Sequence, residues 1–257
     1  MCGATENAIL SSVLAEGKTV IKNAAMEPEI VDLQEFLNKM GAKIKGAGSN
    51  VITVEGVKKL KNISYKIMPD RIEAGTLLCA VAATKGKVKL KGVVPENITP
   101  ILHKLEECGC KLHVNKDEIY LIAPNKLKAV DIKTTPYPGF PTDMQSIYAS
   151  MLTVAKGTSV IVENIFENRY KYTSELIRMG AKIKVEGRIA VIKGVRRLSG
   201  ANVKATDLRG GAALVIAALT AKGTTKIENI EYILRGYEEL NEKLSSLGAK
   251  VKIREGV

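Results

Sequence analysis

One short element, glycine–small residue–lysine–apolar residue, occurs four times at nearly constant spacing: Gly41-Ala-Lys-Ile, Gly109-Cys-Lys-Leu, Gly180-Ala-Lys-Ile and Gly248-Ala-Lys-Val. The intervals are 68, 71 and 68 residues. A second glycine precedes each copy by 23 to 25 residues, at Gly17, Gly86, Gly157 and Gly223. Two markers that keep register through four copies describe a chain built from one supersecondary unit of about 70 residues.

Each repeat reads alike. An Ala/Leu-rich helix comes first, as in residues 74–86, and is expected to end with the glycine in a left-handed cap. A short alternating strand follows, such as Lys87-Val-Lys-Leu-Lys or Thr225-Lys-Ile-Glu-Asn. Next comes an amphipathic helix, with Leu33, Phe36, Leu37 and Met40 on one stripe and Tyr237, Leu240, Leu244 and Leu247 on another. Pro28 and Pro100 sit where a first helical turn accepts proline. The glycine–lysine element then opens a hairpin, as in Lys43-Ile-Lys followed by Asn50-Val-Ile-Thr-Val. The apolar stripes are read as core packing. The chain opens inside or just before the first helix of a repeat, without the hairpin that should precede it, so a sheet edge there is expected to lack its partner.

The 257 residues are 46% hydrophobic and 4% aromatic, which suits an α/β core and not a disordered chain. No apolar run approaches the roughly 20 residues of a membrane span. The first residues lack the basic region of a signal peptide, so a cytoplasmic protein is expected. Four scattered cysteines do not make a disulfide scaffold, and Cys108-Gly-Cys110 lacks the second ligand pair of a soft-metal site, so these are read as buried small residues. The net charge of +12 is spread along the chain with no block of five like charges, and aromatic interleaving is missing, which argues against nucleic acid as a partner.

Arginine is the more informative basic residue: only nine of the 39 basic residues are Arg. Lysine is the usual solvated surface charge, whereas the guanidinium fork suits phosphate and carboxylate. Three segments lead into the first helices of the last three repeats: Met-Pro-Asp70-Arg71-Ile-Glu73, Phe-Pro-Thr142-Asp143-Met-Gln145 and Ala-Thr206-Asp207-Leu-Arg209. Their aspartates lie 14 to 16 residues before the capping glycine and suit helix N-caps. Arg71 and Arg209 lie in these segments, and Arg169 and Arg235 lie ahead of second helices. Helix N-termini already favour anions, and added guanidinium groups make a site for a polyanion such as a phosphorylated substrate. A structural ion pair is the competing reading, and Asp207 holding Arg209 would satisfy both. Asp143 follows a loop stiffened by Pro136, Pro138 and Pro141, and its surroundings should keep it ionised, as a base requires.

The segments Pro69-Asp-Arg-Ile-Glu-Ala-Gly-Thr76, Pro141-Thr-Asp-Met-Gln145, Glu163-Asn-Ile-Phe-Glu-Asn-Arg169, Ala205-Thr-Asp-Leu-Arg209 and Arg235-Gly-Tyr-Glu238, supported by Glu27-Pro-Glu-Ile-Val-Asp32, resemble the UDP-N-acetylglucosamine enolpyruvyl transferase family over essentially the whole chain. The resemblance implies an inside-out α/β barrel fold of repeated βαβαββ units, three per domain. Residues 1–68 would be the remaining unit of one domain and residues 69–257 a complete three-unit barrel. It implies transfer of the enolpyruvyl group from phosphoenolpyruvate to the sugar 3-hydroxyl with release of phosphate, in peptidoglycan synthesis, by a cytoplasmic monomer without metal or organic cofactor.

By position, Asp143 matches the carboxylate that binds the 3-hydroxyl and serves as general base. Ile165 matches a backbone contact to the UDP-sugar. Arg169, Arg209 and Arg235 match arginines around phosphoenolpyruvate. Asp207 matches an acidic residue of proton transfer and arginine positioning. Gly3 matches a glycine that holds the diphosphate, although Met1-Cys2-Gly3 departs from the family's Ser-Val-Gly. Arg71 is an added substrate-binding candidate. The family's Lys-Asn pair, early arginines and reactive-cysteine loop would fall ahead of this chain, so the chain alone is expected to be inactive. The alternatives are a non-catalytic ligand-binding fragment and the sister enzyme acting on shikimate 3-phosphate, against which the Thr-Asp-Met-Gln and Glu-Asn-Arg segments speak.

Overall fold

The computed structural model describes residues 2–254, which divide into two compact units. The first comprises Met1–Pro69 with Pro136–Gly139. It contains α1 (Cys2–Ser12), β1 (Lys18–Lys22), α2 (Pro28–Lys39), β2 (Lys43–Lys45) and β3 (Val51–Glu55). Its sheet has the order β1-β3-β2, antiparallel throughout. Period-two alternation turns Ile52 and Val54 inward, where they join Ile9, Ile30, Leu37 and Ile44 in the core. Pro28 starts α2 as its residue type predicts. α1 buries only Thr5, Ile9 and Ser12, and Leu10 is 53% exposed.

The second unit comprises Asp70–Thr135 and the chain from Phe140 onward. In chain order it holds α3 (Arg71–Ala83), β4 (Lys87–Lys91), α4 (Thr99–Glu107), β5 (Lys111–Val114), β6 (Glu118–Ile122), β7 (Ile132–Lys133), α5 (Gln145–Leu152), β8 (Thr158–Val162), α6 (Thr173–Arg178), β9 (Lys182–Glu186), β10 (Ile189–Lys193), β11 (Asn202–Lys204), α7 (Leu208–Thr220), β12 (Lys226–Glu228), α8 (Glu231–Leu234) and α9 (Leu240–Ser246). The sheets run β4-β6-β5, β7-β8-β10-β9 and β11-β12. Strands β7 and β11 pair in parallel with β8 and β12, so α5 and α7 are crossover helices. The stretch from β7 to β10 is one complete βαβαββ repeat.

The architecture is inside out, with helices at the centre and sheets around them. α3, α5 and α7 pack on one another. Twelve of thirteen residues of α3 and all eight of α5 are buried, so neither helix keeps a polar face. Small residues permit this approach. A Cβ on Gly75 of α3 would come within 2.8 Å of Met144 just ahead of α5, and Ser150 Oγ of α5 donates to the Ala213 carbonyl of α7 at 2.6 Å. The second helices cover the outside through one stripe each, as with Ile101, Leu102 and Leu105 of α4.

All four glycines of the repeated glycine–lysine element adopt left-handed φ, between +92° and +103°, which explains why glycine recurs there. Two expectations fail. After α3 the left-handed residue is Lys85, at φ +60°, and not Gly86; Gly86 instead lies against Val81, 3.1 Å from where its Cβ would be. The fourth copy opens no hairpin among the described residues, because residues 249–254 form no strand. Cys79, Cys108 and Cys110 are buried free thiols, and burial pushes Cys108 up to about 12 and Cys110 to about 11. Among the described residues, no helix is long and apolar enough to cross a membrane.

Gly180 isolates the backbone cost of the repeated glycine, since nothing lies within 4 Å of an added Cβ. Gly180→Ala should destabilise the fold by about 1–2 kcal/mol through its left-handed φ alone. Urea unfolding should show the midpoint fall with an unchanged slope.

Candidate functional site

The central packing of α3, α5 and α7 brings their first turns together. Gly75 in α3 lies against Met144 just ahead of α5. Ser146 Oγ, in the first turn of α5, donates to the carbonyl of Arg209 in the first turn of α7 at 2.9 Å. Three helix N-termini, each with partial positive charge, thus meet at one end of the unit.

The three repeated aspartates do different work there. Asp70 accepts from the backbone N–H groups of Ile72 and Glu73, at 2.7 and 3.2 Å. Asp207 Oδ1 accepts from those of Arg209 and Gly210, at 3.0 and 2.9 Å, and its Oδ2 accepts from Thr206 Oγ1. Both are N-caps. Asp143 sits in a single 3-10 turn, Thr142–Met144, with no side-chain cap. Its Oδ1 lies 2.6 Å from Arg169 Nη2 and its Oδ2 lies 3.0 Å from Arg209 Nη2. Asp207 therefore holds Arg209 by the backbone only, and the guanidinium is held by Asp143. Of the two readings weighed for Arg209, a structural ion pair is present, but its carboxylate is that of Asp143 and not of Asp207.

Supporting contacts fix the pair of arginines. Arg169 follows Asn168, a left-handed residue at φ +57°, and its Nη2 also donates to the Thr142 carbonyl at 3.1 Å. Its guanidinium lies 4.9 Å from the Phe166 ring centroid. Glu163, 2% exposed, accepts from Thr134 Oγ1, Thr142 Oγ1 and the backbone N–H groups of Ile165 and Phe166. One buried carboxylate thus ties the segment before α5 to the loop that carries Arg169. Glu163, Thr142 and Tyr237 stood inside the recognised motifs with no role assigned, because their side-chain partners lie at least 20 residues away in the chain, as with Thr142 and Glu163, or in another repeat, as with Tyr237 and Thr76.

The side chain of Asp143 is 40% exposed, against 9% for Arg169 and 14% for Arg209. Burial pushes the Asp143 carboxyl up, and Arg209 and Arg169 outweigh it, holding the group below the usual carboxylate range. Burial pulls Arg209 down, and Asp143 and Tyr237 more than restore it. Arg169 Nε and Arg209 Nε and Nη1 are buried with no hydrogen-bond partner in the protein. Unpaired buried donors on guanidinium groups are costly and point to an anionic ligand.

These groups border a cavity of about 570 Å³ lined by Asp143, Arg169, Asp207, Arg209 and Arg235, with Phe166, Lys171 and other neighbours. Arg235, the C-cap of α8, is exposed and makes no ion pair among the described residues. Other candidates fall elsewhere. Arg71 is buried at the first position of α3 and is not in the cavity lining. Ile165 is 38% exposed and gives its N–H to Glu163, and its neighbour Phe166 lines the cavity instead. Gly3 lies in α1 of the first unit.

A sequence model of the EPSP synthase (3-phosphoshikimate 1-carboxyvinyltransferase) family matches residues 2–244. The chain belongs to this family. Within it, the chain is 57% identical over 250 residues to a UDP-N-acetylglucosamine 1-carboxyvinyltransferase of Caldanaerobacter subterraneus, covering 97% of this chain and 60% of that protein. It is 52% identical to the corresponding enzyme of Thermotoga maritima, with the same coverages. Among solved structures, the enolpyruvyl transferase NikO from Streptomyces tendae aligns with a TM-score of 0.86 at 27% identity, covering 97% of this chain and 59% of that one. The EPSP synthase of Acinetobacter baumannii aligns at 0.68 with 20% identity, over 93% and 58% of the two chains, and shares the family fold. The chain spans about three-fifths of the length of the curated relatives it matches.

The geometry makes Asp143 an internal anion on the two guanidinium groups. Like charges about 4 Å apart repel by roughly 1 kcal/mol even in bulk water. Asp143→Asn should therefore bind inorganic phosphate at least about fivefold more tightly than wild type by calorimetry. Because the folded carboxyl titrates below its unfolded value of about 3.9, the difference should persist down to about pH 4 and close only as pH falls through the folded value. Equal affinities at neutral pH would show that phosphate binds elsewhere.

Proposed function

We propose that this chain carries the donor-anion site and the acceptor-facing carboxylate of a 1-carboxyvinyltransferase. The whole enzyme of this type transfers the enolpyruvyl group of phosphoenolpyruvate to the 3-hydroxyl of UDP-N-acetylglucosamine and releases phosphate, a step of peptidoglycan synthesis. The observation that carries this is the arrangement of Asp143 between Arg169 and Arg209, with Arg235 unpaired in the same cavity lining. The UDP-sugar rather than shikimate 3-phosphate is chosen because relatives at 52–57% identity are UDP-N-acetylglucosamine 1-carboxyvinyltransferases.

In the reaction the acceptor oxygen bonds to C2 of phosphoenolpyruvate and C3 gains a proton. The resulting tetrahedral carbon then loses phosphate as the C2–O bond breaks and C3 gives up a proton. Arg169, Arg209 and Arg235 supply donors for the phosphate and carboxylate of the donor, and stabilise the charge that builds on the departing phosphate. Asp143 accepts a hydrogen bond from the acceptor hydroxyl and takes its proton. A carboxylate held low by two cations is a weak base. An incoming anion that shares those cations raises its basicity, so donor arrival and base activation are one event. Asp207, occupied by its own helix N-terminus, keeps the Arg209 backbone in place.

The same reading gives a cytoplasmic monomer acting on two small molecules, with neither nucleic acid nor membrane as partner. We propose further that these 257 residues alone bind ligand without turning over. Phosphate release above background from the chain mixed with both substrates would overturn that part.

Two measurements test the site. Arg235→Ala should weaken phosphoenolpyruvate binding by roughly 10- to 100-fold, the worth of a charge-assisted hydrogen bond, with no change in melting temperature because the side chain is exposed. With phosphoenolpyruvate present, UDP-N-acetylglucosamine should give a calorimetric binding signal and shikimate 3-phosphate none. The reverse preference would replace the proposed acceptor.

A further inference from the structure

We propose that Tyr237 is a positioning residue for Arg209: its buried phenol, anchored on Thr76, holds one side of the guanidinium whose other side is held by Asp143. This rests on the reading of Arg209 as part of the anion site.

Tyr237 is 1% exposed and Thr76 2% exposed, and their hydroxyl oxygens lie 2.9 Å apart. Thr76 Oγ1 also donates to the Ile72 carbonyl at 2.7 Å. A hydroxyl has one proton, so Thr76 has none left, and Tyr237 must be the donor in the shared bond. The phenol oxygen is thereby left as an acceptor, and the cation beside it is Arg209, whose Cζ lies 5.5 Å from the ring centroid. Each group responds to the other: Tyr237 raises Arg209, and Arg209 pulls against the burial that pushes Tyr237 up.

The arrangement joins three sequence-distant segments. Thr76 belongs to α3, Arg209 to α7, and Tyr237 to the turn between α8 and α9. Two further contacts hold that turn. A Cβ on Gly236 would come within 2.8 Å of Leu208, so the backbone before Tyr237 lies flush on the start of α7. Lys243 of α9 pairs with Glu73 of α3 at 2.6 Å. Arg209 has only one nitrogen bonded to Asp143, with Nε and Nη1 unpartnered. A guanidinium fixed at one nitrogen can swing, and a rigid aromatic face against it removes that freedom before a ligand arrives.

The test uses this chain and inorganic phosphate, titrated by calorimetry. Tyr237→Phe and Thr76→Val break the same hydrogen bond from opposite sides. Each should weaken phosphate binding roughly three- to tenfold, as loss of one net hydrogen bond implies, while Thr76→Ser restores wild-type affinity. In an Arg209→Lys background, Tyr237→Phe should have no further effect. Three results would overturn the inference: wild-type phosphate affinity in Tyr237→Phe with a lowered melting temperature, recovery failing in Thr76→Ser, or additive losses in the double variant. If Arg209→Lys itself binds phosphate like wild type, the anion-site reading fails and takes this inference with it. A weakened Arg209→Lys beside an unaffected Tyr237→Phe removes the positioning role alone.

Discussion

Close approach of three helices is the constraint from which the rest of the second unit follows. α3, α5 and α7 meet with nearly every residue of α3 and α5 buried, and small residues occupy the lines of contact, as at Gly75 against Met144 and at Ser150, whose Oγ donates to the Ala213 carbonyl. Helices packed side by side with their starts at one end also pack their unsatisfied N–H groups and partial positive charges at that end. That end then needs negative charge. The chain supplies it with one aspartate per helix, and the polyanion site grows from the same requirement.

What separates a cap from a functional group here is a shift of one local geometry. Asp70 and Asp207 take extended backbone angles and bend their carboxylates onto the next turn. Asp143 stands instead within a 3-10 turn ahead of α5, where the cap positions of the turn and of the helix belong to Pro141 and Met144, and neither side chain accepts a capping hydrogen bond. Freed from capping, its carboxylate turns to the guanidinium groups of Arg169 and Arg209, each delivered by another segment. Sequence repetition with one broken equivalence is how a symmetric scaffold acquires an asymmetric site.

That distinction marks the limit of what could be read in one dimension. The four glycines of the glycine–lysine element were legible because a left-handed φ is a local demand that only glycine meets cheaply. The amphipathic stripes of α2 and α9 were legible for the same local reason. Gly86 misled, since Lys85 takes the left-handed turn and Gly86 is small to clear Val81, and the two causes leave the same letter in the sequence. Three of the four arginines singled out by type and position line one cavity, and Arg71 does not. Their partners could not be read in that way: Asp143 and Arg209 are 66 residues apart, Thr76 and Tyr237 161. Only the packing of the repeats brings those pairs together, and Asp207, two residues before Arg209, holds its backbone and not its side chain.

The electrostatics of the site carry one more consequence. Two guanidinium groups and one carboxylate leave a net positive charge in a partly buried place, and three guanidinium nitrogens have no acceptor. Such a group is poised, because the penalty for unpaired buried donors has already been met by the fold and is recovered when an anion arrives. Asp143 limits that penalty in the empty state, and for the same reason it competes with the ligand. Its depressed titration and its competition with anions are therefore one property, set by the two arginines, and any change that relaxes one of them must alter the other.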